Sequence, residues 1–432
     1  MPGWRRSTGE VYTGHIPPSG PAHFMSDIPL RPGSLFAHRP FQAFMTSRAL
    51  SSMAFQGTGV AIGWLVYDRT RNPFDLGLIG LCQFLPMVIL TFVVGHVADQ
   101  FDRRRIGFAC QIIEAVTLLV MTIGVWQGWL STAGIFIAVA LLGSTQAFER
   151  PTMAALLPGI VPSDTLPRAI ANSTSVMQTA MVIGPALAGL LYGVGPVVPF
   201  AVATAMFALA SVSVSAIPHP GVTPRREPVT LKSVFAGAAF IRSKPVMLGT
   251  ISLDLFAVLL GGATALLPIY ARDILSAGPI GLGLLRTAPA IGAVMMSLVL
   301  GRFPISRNVG KTMLIAVAIF GLATIVFAVS TNIVLSVAML LILGAADTIS
   351  VVVRTSLVQL LTPDAMRGRV NAINSLFIGT SNQLGEFESG TLAGFVGPVW
   401  AVALGGLGTL GVVLLWTQLF PQLPKVQTFR EA

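Results

Sequence analysis

The chain has 432 residues, of which 53% are hydrophobic and only 10% are charged, whereas a soluble domain has about 25% charged residues. This composition excludes a soluble globular protein, because too few charges are present to cover its surface. The net charge of +10 does not indicate nucleic-acid binding, since the basic residues lie in short segments between apolar runs. We therefore expect most of the chain to be surrounded by lipid.

Apolar runs of about 20 residues are long enough to cross a bilayer as helices. Residues 1–33 predict a disordered cytoplasmic tail, in which Met25 is a natural alternative start. An N-terminal half, residues 34–216, contains spans 1 to 6, predicted at 42–67, 75–97, 106–127, 130–149, 168–192 and 196–216. A C-terminal half, residues 246–420, contains spans 7 to 12, predicted at 246–271, 278–300, 312–330, 333–356, 370–393 and 397–420. Residues 421–432 form a predicted cytoplasmic tail.

The basic residues predict the orientation of these spans. We assign 22 of the 27 Lys and Arg residues to the side that carries both termini, and only Arg69, Arg71 and Arg272 to the other side. Cytoplasmic loops are enriched in Lys and Arg, so both termini are predicted to be cytoplasmic. We expect a multi-pass protein of the bacterial cytoplasmic membrane.

The two halves are predicted to be joined by a cytoplasmic linker over residues 217–245. Apolar side chains recur at near-helical spacing between Leu231 and Ile241, beside Lys232 and Arg242. This pattern predicts a short amphipathic helix on the membrane surface.

The halves also resemble each other in sequence. The predicted loop after span 4 begins at Arg150 and ends with Asn172-Ser173, and the loop after span 10 begins at Arg354 and ends with Asn374-Ser375. Repeated halves are typical of secondary transporters. The predicted fold is therefore an all-α membrane protein with twelve transmembrane helices in two six-helix halves.

The loop after span 2 reads Gly95-His-Val-Ala-Asp99-Gln-Phe-Asp102-Arg103-Arg104-Arg105. It resembles the Gly-x-Leu-Ala-Asp-Arg-x-Gly-Arg-Arg pattern of the major facilitator superfamily, although Gln100 and Asp102 depart from that pattern. The resemblance implies the major facilitator fold and a gating role for this loop. It also implies that Asp99 lies near the start of span 11 and that Arg103 or Arg104 pairs with Glu149.

Span 5 contains Ala180-Met-Val-Ile-Gly184-Pro185-Ala-Leu-Ala188-Gly189. This segment is similar to the Gly-x-x-x-Gly-Pro-x-x-Gly-Gly motif of the superfamily's drug antiporters, with alanine at two glycine positions. The three matching residues are Gly184, Pro185 and Gly189. Ordinary small-residue packing is the alternative interpretation. Further matches, including Pro363-Asp-Ala-Met-Arg-Gly-Arg369, resemble the enterobactin-exporter branch of the superfamily.

Several charged residues lie within the predicted spans, where a charge at the bilayer centre costs about 2.5–3.5 kcal/mol and therefore faces a partner or a cavity. Low dielectric favours the neutral form of a carboxylic acid, which suits a proton carrier. We predict Asp254, Asp347 and Glu386 as proton-coupling acids, each with a structural ion pair to a buried Arg as the alternative. The predicted substrate-cavity residues are Arg48, Gln56, Gln83 and Arg286.

These features predict a secondary active transporter for proton-coupled efflux of a small amphipathic compound or siderophore by alternating access. An uptake transporter of the same fold and a non-transporting receptor or scaffold are the alternatives. The sequence has no phosphate-binding loop or nucleophile–base pair that would indicate an enzyme. The partners we expect are a small-molecule substrate, the proton and the lipid bilayer, with no nucleic acid, and we expect a monomer. Neither a cofactor nor a metal site is predicted. Cys82 and Cys110 are predicted to be small core residues that form no disulfide.

Overall fold

The computed structural model describes residues 35–218 and 231–429, and all its regular elements in these ranges are helices. The N-terminal half contains spans 1 to 6, at Arg39–Thr70, Pro73–Gln100, Arg103–Trp126, Thr132–Leu156, Leu166–Val194 and Val198–Ser215. The C-terminal half contains spans 7 to 12, at Pro245–Ile274, Gly278–Arg302, Val309–Val329, Ile333–Leu361, Asp364–Val396 and Pro398–Leu419. The predicted N-terminal tail before residue 35, the linker over 219–230 and the last three residues lie outside the described residues.

Eleven of these helices, with Thr132–Gly159 taken as one segment, are long and apolar enough to cross a membrane by length and composition alone. Span 11 is the twelfth helix of the bundle, with 33 residues. Its polar composition, which includes Glu386 and Glu388, sets it apart from the other spans. It packs against span 2 of the opposite half and against span 7.

The connection after span 2 is much shorter than predicted, because residues 95–100 belong to span 2 and span 3 begins at Arg103. Only Phe101 and Asp102 lie between the two helices. Asp102 is the N-cap of span 3, and its carboxylate accepts a hydrogen bond from the Arg104 backbone N–H at 2.9 Å. The cap satisfies a backbone donor that would otherwise lack a partner at the helix start.

Two predicted loop starts were wrong. Spans 4 and 10 continue to Leu156 and Leu361, so Arg150 and Arg354 lie within helices. The apolar runs stop near these arginines, but the helices do not stop there. An arginine is compatible with a helix when it is exposed, as Arg150 is, or when it is buried beside a counter-ion, as Arg354 is. Arg354 is only 3% exposed.

Span 7 is not a regular α-helix. Its α-helical part ends at Leu260, and the chain continues through a 3-10 turn over Ala263–Leu266 and a π-helical turn over Tyr270–Ile274. Gly261 and Gly262 follow the α-helical part, and a Cβ on Gly262 would lie 2.5 Å from the carbonyl oxygen of Gly385 in span 11. The absence of side chains here lets spans 7 and 11 approach closely.

The linker contains a helix at Leu231–Ser243, where the sequence predicts an amphipathic one. It packs against span 11, and a Cβ on Gly237 would meet the Ile373 side chain and the Arg369 carbonyl oxygen. Cys82 and Cys110 are both free, as predicted.

The two halves contact each other mainly through spans 2 and 11 and through spans 5 and 8. We call the end of the bundle where span 1 begins and span 12 ends the tail end, and the opposite end the far end. The closest backbone approaches lie towards the far end. Gly77 of span 2 packs on Gly390 of span 11, and Gly189 of span 5 packs on Gly283 of span 8.

Candidate functional site

The C-terminal half contains a buried ion pair between spans 7 and 10. The Arg354 guanidinium donates to the Asp254 carboxylate at 2.5 Å, and the two side chains are only 3% and 6% exposed. A charge-assisted hydrogen bond of this kind is strong and directional. The alternative interpretation of Asp254, as the partner of a buried arginine, therefore describes its contact in this conformation.

Asp347 lies on the same face of span 10, seven residues before Arg354 and three before Ser350. It lines a small cavity with Asp254 and Ser350, closed on the other side by Val317 and Phe320 of span 9. Among the described residues Asp347 has no hydrogen bond or ion pair, and the buried Ser350 hydroxyl has no hydrogen-bond partner. Asp347 is therefore a carboxyl group beside a buried ion pair, without a counter-ion of its own.

Glu386, the third predicted acid, lies 3.9 Å from the Arg286 guanidinium of span 8. Arg286 also donates to the carbonyl oxygen of Thr264 at 3.2 Å, in the irregular part of span 7. These residues connect spans 7, 8 and 11. They lie at the interface between the two halves, because a Cβ on Gly80 of span 2 would lie 2.9 Å from the Glu386 Cβ. Arg286 was predicted to line the cavity, and in this conformation it holds neighbouring spans together.

Among the predicted cavity residues of the N-terminal half, Arg48 is buried, whereas Gln56 and Gln83 are half-buried. Arg48 is 8% exposed, and its guanidinium contacts the Met177 sulfur of span 5 at 2.8 Å. Gln56 packs against Gly184 of span 5, and the backbone of Gln83 packs against Gly143 of span 4. The structure therefore distributes these residues over separate helix contacts and does not gather them in one group.

The predicted ion pair between Glu149 and Arg103 or Arg104 is absent from the described contacts of Glu149. Arg103 donates to the Ala155 carbonyl oxygen at 3.0 Å, and Arg104 donates to the Ile217 carbonyl oxygen at 2.6 Å. These carbonyls lie at the ends of spans 4 and 6, where backbone oxygens lack helical donors. Gly95 and Asp99 lie in the last turns of span 2, and the Asp99 side chain lies outside the described part of the chain.

Glu149 instead accepts hydrogen bonds from the Gln111 and Gln146 side-chain amides. These contacts belong to a buried cluster that includes Glu114 of span 3. Glu114 was not among the predicted site residues, and its only sequence signal was a carboxylate within an apolar run.

The span 5 motif lies between span 1 and the opposite half. A Cβ on Gly184 would lie 2.9 Å from the Met53 carbonyl oxygen of span 1. On the other side, a Cβ on Gly189 would lie 2.8 Å from the Gly283 Cα of span 8. The Thr287 hydroxyl of span 8 also donates to the Val182 carbonyl oxygen at 3.1 Å, within the turn that precedes Pro185. The motif thus allows close packing on both faces of span 5.

Polar contacts between spans 1 and 7 join the halves at the far end. Asp273 accepts hydrogen bonds from the Tyr67 hydroxyl and from Arg71, the latter at 3.3 Å. Arg272 pairs with Asp68 and lies 5.6 Å from the centre of the Trp64 ring. We call this group the far-end latch, and its members are Trp64, Tyr67, Asp68, Arg71, Arg272 and Asp273.

The latch was not predicted, although the sequence contains a signal for it. Arg71 and Arg272 are two of the three basic residues assigned to the sparsely charged side. Spans 1 and 7 also end in similar groups, Tyr67-Asp68-Arg69 and Tyr270-Ala-Arg272-Asp273. Spans 1 and 7 are equivalent helices of the repeated halves, and equivalent ends meet where the halves pack together. The similarity of these two groups could therefore have predicted the contact between spans 1 and 7.

The chain is similar to known transport proteins over nearly its whole length. Residues 32–430 match the family described as transmembrane secretion effector. An enterobactin exporter of Citrobacter koseri is 28% identical over 409 residues, covering 90% of this chain and 94% of that protein. An enterobactin exporter of Escherichia coli O1:K1 is 27% identical over 403 residues, covering 88% and 92%.

Solved structures show the same fold at low sequence identity. A bacterial homologue of the lysosomal transporter spinster, in an inward-facing and occupied conformation, superposes with a TM-score of 0.70 at 13% identity, covering 91% of this chain and 97% of that chain. The nucleoside transporter NupG superposes with a TM-score of 0.67 at 14% identity, covering 88% and 99%.

These comparisons confirm the predicted fold class, because the structural neighbours are major facilitator transporters. They also confirm that the chain is not an enzyme, since the matched proteins are transporters. The chain is a member of the transmembrane secretion effector family within the major facilitator superfamily, a membrane-embedded transporter of the enterobactin-exporter-like branch.

Proposed function

We propose that this protein is a secondary active transporter that exports a small amphipathic compound or siderophore in exchange for protons. The observation that carries the coupling proposal is Asp347, a carboxyl group without a counter-ion in the cavity beside the Asp254–Arg354 pair. Protonation removes a charge from a medium in which an unpaired charge is costly. Loss of the proton restores that charge next to the buried pair.

A change of charge at Asp347 alters the electrostatic balance around Arg354. When Asp347 is neutral, Arg354 has one anionic neighbour, Asp254, with which it forms a short contact. When Asp347 is ionised, two carboxylates compete for the same guanidinium. The two protonation states therefore favour different arrangements of spans 7 and 10, and a ligand that favours one arrangement shifts the conformational equilibrium. Proton binding at this position is thus suited to drive alternating access.

The latch supports a conformation that opens towards the tail end. The polar contacts between the halves that we describe, including those of Asp273 and Arg272, lie towards the far end. The excess of basic residues indicates that the tail end faces the cytoplasm. In this orientation the protein can accept a substrate from the cytoplasm, as an exporter does. The span 5 motif adds support, because Gly189 places a side-chain-free surface at the half interface.

The curated relatives are named as enterobactin exporters, so we propose a siderophore as the first substrate to test. Reconstituted liposomes with the cytoplasmic side outward should accumulate enterobactin when the lumen is acidic and the exterior is neutral. Collapse of the pH gradient by an ionophore should abolish accumulation, and a panel of amphipathic compounds should be tested in parallel.

Three outcomes would contradict parts of this proposal. Flux that is unchanged without a pH gradient would exclude proton coupling. Gradient-driven flux only in the opposite direction would indicate uptake. A folded protein that transports no compound of the panel in either direction would favour the receptor or scaffold alternative.

A further inference from the structure

The N-terminal half contains two carboxylates that the proposed coupling site does not use. Glu114 of span 3 and Glu149 of span 4 are 0% and 2% exposed. Glu114 lies eleven residues from the start of span 3, so it is roughly 16 Å along the helix axis, near the middle of the span. Both acids therefore lie away from bulk water.

The two carboxylates are joined by one side-chain amide. The Gln146 Nε2 donates to Glu114 Oε1 at 3.0 Å and to Glu149 Oε2 at 2.7 Å. The other oxygen of Glu149 accepts from Gln111 Nε2 at 2.8 Å. Each Glu149 oxygen thus accepts from an amide NH2 group, which can only donate, and this fits an ionised carboxylate.

Glu114 is not satisfied in the same way. Its Oε2 atom is buried and has no hydrogen-bond partner among the described residues. An ionised carboxylate would leave a negatively charged oxygen without a donor, which is strongly unfavourable in a protein interior. A proton on this carboxyl group removes the charge and so lowers that cost.

The Thr145 hydroxyl gives independent support. Its Oγ1 atom lies 2.8 Å from Glu114 Oε1 and 2.9 Å from the Leu142 carbonyl oxygen. A hydroxyl has one hydrogen, so it cannot donate fully to both acceptors. Threonine in a helix commonly donates to a carbonyl of the preceding turn. If Thr145 does so, its oxygen is free to accept a hydrogen bond, and a protonated Glu114 can supply one.

Two arginines, Arg48 and Arg150, lie near the cluster, but their described contacts are with groups other than the two acids. The Arg150 Nε donates to Gln146 Oε1 at 3.0 Å, and Arg48 of span 1 contacts the Met177 sulfur. Cys110 is the nearest ionisable group on span 3 itself, and span 6, which packs on span 3, has no ionisable residue. Neither Glu114 nor Glu149 forms a salt bridge in the described part of the chain.

We propose that Glu114 holds a proton in this conformation, and that Glu114, Gln146 and Glu149 form a second proton-binding site in the N-terminal half. Gln146 is partly exposed and Arg150 is exposed, so the Gln146 side chain connects the buried carboxylates to solvent. A contribution of this site to transport rests on the proposed function, but its occupancy by a proton does not.

Infrared difference spectroscopy of the full chain in lipid nanodiscs tests this occupancy without a substrate. A protonated carboxyl group has a C=O band that a carboxylate lacks. We expect Glu114→Gln to remove one such band at neutral pH. Glu388→Gln is the matched control, because Glu388 is a partly buried span 11 acid outside the cluster, and it should leave the Glu114 band in place.

Thr145→Val is the second variant, and it keeps the carboxyl group while removing its hydroxyl neighbour. The Glu114 band should shift in frequency but keep its intensity. The proposal is overturned if the carboxylic-acid bands of the wild type and of folded Glu114→Gln are identical at neutral pH, or, should Glu114→Gln not fold, if Thr145→Val shifts no band. These results would leave proton-driven transport through Asp347 untouched, and a loss of transport in Asp347 variants would leave the Glu114 band untouched.

Discussion

Arg354 donates to Asp254 at 2.5 Å across spans 7 and 10, and both side chains are almost completely buried. The contact gives a buried counter-ion to an arginine that the end of the apolar run had placed in a loop. It also leaves Asp347, two helical turns away on the same face of span 10, without a counter-ion. Three charged groups thus share a site in which protonation of one changes the balance of the other two.

The first prediction concerns Asp347. Asp347→Asn should abolish pH-gradient-driven flux in liposomes, because the amide cannot bind and release a proton, while the protein still inserts and folds. Glu388→Gln is the control, since Glu388 is a span 11 acid that does not line the cavity beside Asp347, and it should retain flux. Wild-type gradient-driven flux in Asp347→Asn would exclude this residue as the proton carrier.

The second prediction concerns the stability of the ion pair. Arg354→Gln should lower the free energy of unfolding by about 3–5 kcal/mol, because it leaves the Asp254 charge buried and unpaired. The double variant Asp254→Asn/Arg354→Gln should recover much of this loss, since neither charge remains. Thermal unfolding in detergent of the single and double variants measures the difference. Additive losses would mean that the two side chains do not stabilise each other.

The third prediction concerns the far-end latch. Asp273→Asn removes the charged acceptor of Tyr67 and Arg71, so the latch should open more often. Partly exposed ion pairs contribute about 0–1 kcal/mol each, so we expect a shift in population and not unfolding.

Spin labels at the exposed Asn72 and Ser276, in a background without Cys82 and Cys110, report the distance across the latch. Longer distances should become more populated in Asp273→Asn. Arg69→Gln is the control, because Arg69 contacts the Leu130 carbonyl oxygen within its own half. Equal distance distributions in the wild type and in Asp273→Asn would contradict a role for the latch in closure.

The fourth prediction concerns the contact between spans 5 and 8. Gly189→Ala would place a Cβ 2.8 Å from the Gly283 Cα and from the Pro279 carbonyl oxygen, so the two helices must move apart. Overpacking of this kind costs about 1–3 kcal/mol, and here it disfavours the closed far end.

The same spin-label pair should therefore show increased separation in Gly189→Ala. Gly193→Ala is the matched control, because its Cβ would meet only the Ile280 side chain at an ordinary 3.4 Å. A larger effect from the control than from Gly189→Ala would contradict the packing argument.

The apolar runs and the distribution of the basic residues together predicted twelve spans. Eleven of the helices are long and apolar enough to cross a bilayer by composition alone, and span 11 is more polar. The helix ends were less accurate, as the two arginines at the ends of spans 4 and 10 illustrate. Arg150 and Arg354 occupy equivalent positions of the repeated halves, 204 residues apart. Arg150 is exposed and contacts Gln146, whereas Arg354 is buried against Asp254. A hydropathy profile gives both arginines the same value and therefore cannot distinguish these environments.

The sequence by itself determined the membrane fold, the two halves and the list of charged residues within the spans, since lipid imposes the length and polarity of each helix. Only the tertiary structure decided which of these charges are paired. Asp254 and Glu386 form ion pairs with arginines, and Asp347 forms none among the described residues. Glu149 accepts hydrogen bonds from glutamines and does not pair with Arg103 or Arg104. Pairing depends on which helix faces meet, and contacts between residues a hundred or more positions apart are not encoded in the local pattern of any one helix.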